Sequence, residues 1–172
     1  MKYFISALLV LCSCYSQASF KEKSGGFLEI AMPLTAVGIT YYHEDMQGFK
    51  ELAYTLSATA LTTVLLKKTV KKERPDGSGD DAFPSGHAAI TFSSASFLER
   101  RYGWKYGVPA YLLASWTAYT RVDADKHEIE DVLAGAAIGY AFSYLFVSEN
   151  QALKVAPLIS KNYVGLSAQM IF

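Results

Sequence analysis

The sequence predicts an all-α fold, a helical bundle of about five to six helices with an active site at one end. Apolar stretches run over residues 27–42, 50–67, 86–101, 105–120 and 127–148, each longer than a usual strand. Short polar or glycine-containing breaks separate them, and alternating residues appear only at the C-terminus. At 172 residues there is room for one domain with a proper core. No internal repeat or low-complexity tract interrupts it.

Residues 1–18 read as an export signal, with Lys2 as the positive start, Tyr3 to Leu11 as the apolar stretch and Ser16-Gln17-Ala18 as the cleavage site. The alternative is an uncleaved first helix. Cys12 and Cys14 fall inside this segment, so its removal would leave neither a disulfide framework nor a cysteine metal site. Leu11-Cys12-Ser13-Cys14 also resembles a lipidation box, although Cys12 fits that pattern poorly.

The helical domain then spans residues 19–150. Pro33 and Pro109 sit near the starts of their segments, where proline is tolerated. Asp76 to Asp81 is the clearest loop, and Gly135 and Gly139 read as permitting close helix packing. Residues 151–172 form a C-terminal tail in which Val164, Leu166, Ala168, Met170 and Phe172 alternate with other residues, as along a strand. A single strand cannot close a membrane barrel, so a tail packed on the bundle is the plainer expectation.

Lys+Arg and Asp+Glu balance at 16 each, so no basic surface advertises nucleic-acid binding. Apolar residues make up 51% and mean hydropathy is +0.15, between a soluble domain and a polytopic membrane protein. Counting the leader gives six spans and places Arg100, Arg101 and Lys105 in a cytoplasmic turn, as the positive-inside rule prefers. Against this, Glu29 interrupts its segment, the turn from His43 to Glu51 is acidic, and the uncharged stretches fall short of the ~20 residues of a span. An exported envelope bundle touching the membrane and a fully spanning one both remain open.

Three short segments carry the chemistry: Lys67 with Arg74-Pro75, then Pro84-Ser85-Gly86-His87, then Thr120-Arg121 with His127 and Asp131. Two antiparallel helices of about fifteen residues, each running ~22 Å, would return Arg121 and His127 to the end where His87 starts. Lys67 ends its own helix at the same level. The N–H groups of Ser85 and Gly86, opening a helix, would be free to hold an anion. Lys67, Arg74 and Arg121 would neutralise phosphate oxygens. Asp131, four residues after His127, can accept its Nδ1 proton and leave Nε2 as nucleophile. His87 would then protonate the departing oxygen. No metal or other cofactor is needed. Taken singly, each piece has a plainer reading: the run from Lys67 to Lys72 as a solvated or membrane-flanking patch, His43 as a structural histidine in a polar turn. The ordered joint occurrence points to phosphoryl chemistry.

The pattern Lys-x6-Arg-Pro, Pro-Ser-Gly-His and Arg-x5-His-x3-Asp resembles the type 2 phosphatidic acid phosphatase / vanadium haloperoxidase superfamily, over roughly residues 27–147. The resemblance implies metal-free hydrolysis of phosphomonoesters or pyrophosphates through a phosphohistidine on His127. It assigns Lys67, Arg74, Ser85, Gly86 and Arg121 to phosphate binding, His87 to acid catalysis and Asp131 to orienting His127. The expected partner is a phosphorylated lipid or small molecule, with membrane contact and no nucleic acid, in an exported, envelope-located protein. Thr120 stands where a serine is usual, the gap between the first two motifs is short, and Glu128 and Glu130 flank His127 with charge that would raise its pKa. A vanadate-dependent haloperoxidase and a non-catalytic helical scaffold are the alternatives.

Overall fold

The computed structural model describes residues 2–149, 153–160 and 163–170, with side chains over 20–149. Five helices follow one another up and down: α1 (Lys2–Tyr42), α2 (Met46–Thr69), α3 (Gly86–Tyr102), α4 (Trp104–Asp123) and α5 (Ile129–Phe146). The leader is not a bundle helix of its own; it runs on into α1 as one continuous 41-residue helix. Its export role and cleavage site rest on side chains outside those described. Pro33 therefore lies inside a helix, not near the start of one.

Local chemistry sets the other boundaries. Asp45 caps α2 by accepting the Gly48 N–H at 2.8 Å, and Ser85 caps α3 through the Ala88 N–H. Gly103, at φ 83°, turns the chain directly from α3 into α4, a conformation glycine adopts without strain. Glu128 and Asp131 form a reciprocal capping box at the start of α5.

Helix α3 is the axis of the bundle: it packs against all four other helices and exposes no residue. Apart from Phe97, Leu98 and Arg101 toward its end, its buried surface is small and hydroxylic, with Ala88, Ala89, Thr91, Ser93, Ala95 and Ser96 fully enclosed. Burying a hydroxyl costs free energy unless it is bonded. Here Thr40, Thr55, Thr91 and Ser94 donate to carbonyls one turn back in their own helices, at 2.7–3.0 Å. Small side chains also let backbones approach: a methyl at Gly135 or Gly139 of α5 would overlap the Ser85 or Ala89 carbonyl of α3. Leu52, Phe97 and Leu98 are buried among them, but many large apolar side chains point outward, Leu34, Leu61, Leu112 and Leu133 each being more than 60% exposed.

Charge is sorted to the two ends. At the end away from the three motifs, Arg101 donates to both oxygens of Asp45 at 2.6 and 2.7 Å and to the Ser148 carbonyl at 3.2 Å. This fork ties the α1–α2 turn to the last residues of α3 and to the chain leaving α5. His43 stacks on Tyr102 here, ring centroids 4.9 Å apart, as a structural histidine.

Beyond the bundle, strand β1 (Leu153–Ser160) pairs antiparallel with β2 (Tyr163–Met170), Ser160 opposite Tyr163. The expected terminal strand is therefore one arm of a hairpin. The expected packing of this tail on the bundle rests on side chains outside those described.

Candidate active site

Helix ends and two loops bring the motifs together. Lys67 lies in the last turn of α2, His87 is the second residue of α3, Arg121 lies near the end of α4, and His127 immediately precedes the cap of α5. The loop from Val70 to Ser85 crosses the same end and carries Arg74. It is pinned by backbone bonds from Arg74 to Gly79 and from Ala82 to Lys72, and by the Asp76–Lys126 ion pair. A cis peptide joins Phe83 and Pro84.

His127 is 3% exposed, and its Nδ1 lies 2.7 Å from the Ala82 carbonyl oxygen. A carbonyl only accepts, so Nδ1 carries the proton and Nε2 presents its lone pair. Asp131 is not the acceptor expected from the sequence, because its nearer oxygen is 3.9 Å from Nδ1. Its carboxylate is committed elsewhere: Oδ2 accepts the Glu128 N–H at 2.8 Å and Oδ1 binds Lys72 at 2.7 Å. Asp131 thus shapes the start of α5 beside His127, while the backbone of Ala82 fixes the tautomer.

Desolvation pushes the His127 pKa down to about 4, assisted by Lys67, Arg74 and Arg121 and opposed by the Ala82 bond. The upward shift expected from Glu128 and Glu130 does not occur, since both glutamates are bound to Lys72.

The three cations differ in their surroundings. Arg74 holds Asp81 with a bidentate fork at 2.8 and 3.1 Å, and Lys67 pairs with the same carboxylate at 3.5 Å. Arg121 is different: it is only 6% exposed, its Nε has no partner, and no carboxylate reaches ion-pair distance among the described residues. A buried guanidinium without an anion is costly and marks a place where an anion binds.

At the start of α3 the expectation is met in part. Ser85 is fully buried, and its N–H donates to the Asp131 carbonyl at 2.9 Å, so it is not free for an anion. Its role here is to cap α3 and join it to α5. Gly86 lies beside Lys67, a methyl there falling 3.9 Å from the lysine Cε, and the first two N–H groups of α3, on Gly86 and His87, keep no acceptor among the described residues. His87 Nε2 lies 3.1 Å from the carboxylate of Glu29 on α1.

Sequence reasoning missed Lys72, Asp81 and the Ala82 carbonyl as members of this site. Lys72 looked like one more lysine in a basic run, Asp81 like a loop charge, and a carbonyl carries no sequence signal. An open cavity of about 470 Å³ beside His127 is lined by Pro75, Val122, Asp125, Glu128 and Glu130. A larger opening of about 960 Å³ lies at the far end between α1 and α2 and contains none of these residues.

The chain resembles known proteins in sequence and in fold. The chain is 31% identical over 182 residues to the lipid A 4'-phosphatase of Helicobacter pylori, covering 95% of this chain and 91% of that one. It is 41% identical over 69 residues to the lipid A 1-phosphatase of Porphyromonas gingivalis, covering 38% and 16%. The crystal structure of Aquifex aeolicus LpxE superposes with a TM-score of 0.64 at 22% identity, covering 75% of this chain and 84% of that one. That of the transmembrane PAP2-type phosphatidylglycerolphosphate phosphatase of Bacillus subtilis gives a TM-score of 0.59 at 22% identity, covering 76% and 73%. These two likenesses concern the fold. The sequence pattern of the PAP2 superfamily matches residues 49–153, a span that holds every motif residue from Lys67 to Asp131, and the chain belongs to that superfamily of phosphatases.

Proposed function

We propose that the protein is a membrane-embedded phosphatase that removes a phosphate monoester from a lipid headgroup through a phosphohistidine on His127. The observation that carries this reading is Arg121, a buried guanidinium with an unpartnered Nε beside a neutral histidine nucleophile. Phosphate bound by Arg121, Lys67 and the free N–H groups of Gly86 and His87 would present its phosphorus to Nε2 of His127. Attack forms the N–P bond as the P–O bond to the lipid breaks, and His87 gives its proton to the departing oxygen. A water that returns a proton to His87 then hydrolyses the phosphohistidine. The cations supply the charge neutralisation that a metal would otherwise supply, so the reaction runs without one.

The membrane reading rests on the inverted burial. Large apolar side chains cover the outer faces of α1, α2, α4 and α5, while hydroxyls and small residues fill much of the interior around Leu52, Phe97 and Leu98. That is the packing of helices in lipid, where apolar side chains lose nothing by facing outward. Among the described residues α5 is long and apolar enough by composition to cross a bilayer. A glycolipid such as lipid A is the proposed substrate, after the Helicobacter pylori relative that aligns over 95% of the chain. Export by the leader, with the basic α3–α4 turn held in the cytoplasm, would face the site outward.

The test is phosphate release from lipid A and from a soluble aryl phosphate by detergent-purified protein, with and without EDTA. EDTA-resistant release that disappears in His127→Ala supports the proposal. Release that requires added metal, or survives in His127→Ala, overturns it.

A further inference from the structure

Helix α1 lies outside the span that matches the superfamily pattern, yet it reaches into the site. Glu29 is the one charged side chain between Lys23 and Glu44, in a stretch of helix that is otherwise apolar or small. A carboxylate in such a stretch is costly unless it has a partner. Its partner is His87, whose Nε2 stands 3.1 Å from Glu29 Oε2, with both side chains about one-third exposed or less at 34% and 27%. The approach is built into the helix. Gly25, one turn earlier on the same face, has no room for a side chain against Thr120, so α1 lies flush on α4 beside Arg121.

The charges facing His87 make this contact necessary. Burial disfavours a positive charge on His87, and so do Arg121 from α4, His127 and Arg74 from the loops and Lys67 from α2. Among the described residues Glu29, from α1, is the one carboxylate in ion-pair range of it. A general acid must hold its proton until the leaving oxygen needs it.

We propose that Glu29 is the positioning residue for the general acid: it holds the Nε2 proton of His87 and favours the cationic ring, so that the proton at Nδ1 is the one delivered to the leaving oxygen. No hydrogen bond to Nδ1 of His87 is made among the described residues, which leaves that atom for the substrate. As the P–O bond breaks, its electron pair stays on oxygen and takes the Nδ1 proton. His87 becomes neutral with Nε2–H still facing Glu29. The proposal rests on the phosphatase reading above, and its test separates the two.

The experiment compares wild type, Glu29→Gln and Glu29→Asp on glycerol phosphate, whose leaving alkoxide needs a proton, and on para-nitrophenyl phosphate, whose leaving phenolate does not. Glu29→Gln should lose about tenfold in kcat/KM on glycerol phosphate and less than about twofold on the aryl ester. Its alkaline limb on glycerol phosphate should move down by about one pH unit, and Glu29→Asp should recover most of both losses. Equal losses on the two substrates would show a merely structural role and overturn the proposal. A second readout needs no turnover: ring-nitrogen NMR of His87 in the His127→Ala background. Its titration midpoint should fall by about one unit when Glu29 becomes Gln. An unchanged midpoint overturns the proposal, whereas wild type inactive on every phosphate would overturn the phosphatase reading alone.

Discussion

The ammonium of Lys72 lies 2.7 Å from the fully buried carboxylate of Asp131, and it also binds Glu128 and Glu130. One lysine thus pairs with three acids within four residues of His127. Without it those carboxylates would act on His127 unopposed and favour its protonated form. Lys72→Met should therefore raise the pKa of His127 and move the acid limb of kcat/KM up by about one pH unit. A pH–rate profile of the variant beside wild type checks this; an unmoved limb would show that Lys72 is not the neutralising group.

The acid limb of the wild type follows from the burial of His127. Its pKa is pushed down to about 4, so the imidazole stays neutral well above that pH, and as the proposed nucleophile it would be lost to protonation only below it. Activity on an activated aryl phosphate should persist down to about pH 4 and fall tenfold per unit below it. An acid limb near pH 6.5, the ordinary histidine value, would mean that His127 is hydrated in the working enzyme.

Arg121 should trade stability for function. Its Nε is buried without a partner, so an apolar side chain of similar length removes a desolvation cost as well as the proposed phosphate contact. Arg121→Met is expected to raise the melting temperature in detergent while lowering kcat/KM by at least about 100-fold. A variant that loses both would show that the guanidinium is structurally satisfied.

At the far end, the Asp45–Arg101 fork should hold the bundle without touching the chemistry. Arg101 holds the Asp45 carboxylate at about 2, below its ordinary 3.8. A depressed carboxylate stabilises the fold above its ordinary pKa and loses that contribution as pH falls toward the folded value. Wild type should therefore lose melting temperature between about pH 4 and pH 2. Asp45→Asn should begin about 3 kcal/mol less stable, lack that part of the decline, and keep its kcat while folded. Melts from pH 7 downward, paired with single-pH rates, decide it.

The helices were legible because apolar runs and charged breaks alternate along the chain, and the structure begins α3 at Gly86 and ends it at Tyr102, one residue beyond the expected span. The site was legible in its members more than in their bonds. The spacing of Asp131 from His127 correctly put them side by side, but spacing cannot say that a capping residue spends its carboxylate on the Glu128 N–H and on Lys72. Glu29 showed in the sequence only as a charge interrupting an apolar run. Strand β1 was missed because Lys154 and Pro157 break its apolar alternation, and its pairing with β2 appears only in the backbone.

The glycine seam between α3 and α5 has a consequence for how this enzyme can vary. His87 begins one of those helices and His127 precedes the other, so the gap between the two histidines is gauged by hydrogen atoms at Gly135 and Gly139, about two and three turns down α5. Neither glycine is a ligand or a base. Any side chain there would pry the helices apart and widen the reach across which a proton and a phosphoryl group must be handed on. The tolerance of the reaction is therefore written at positions that never meet a substrate, and a search for activity-altering changes confined to the pocket would pass them by.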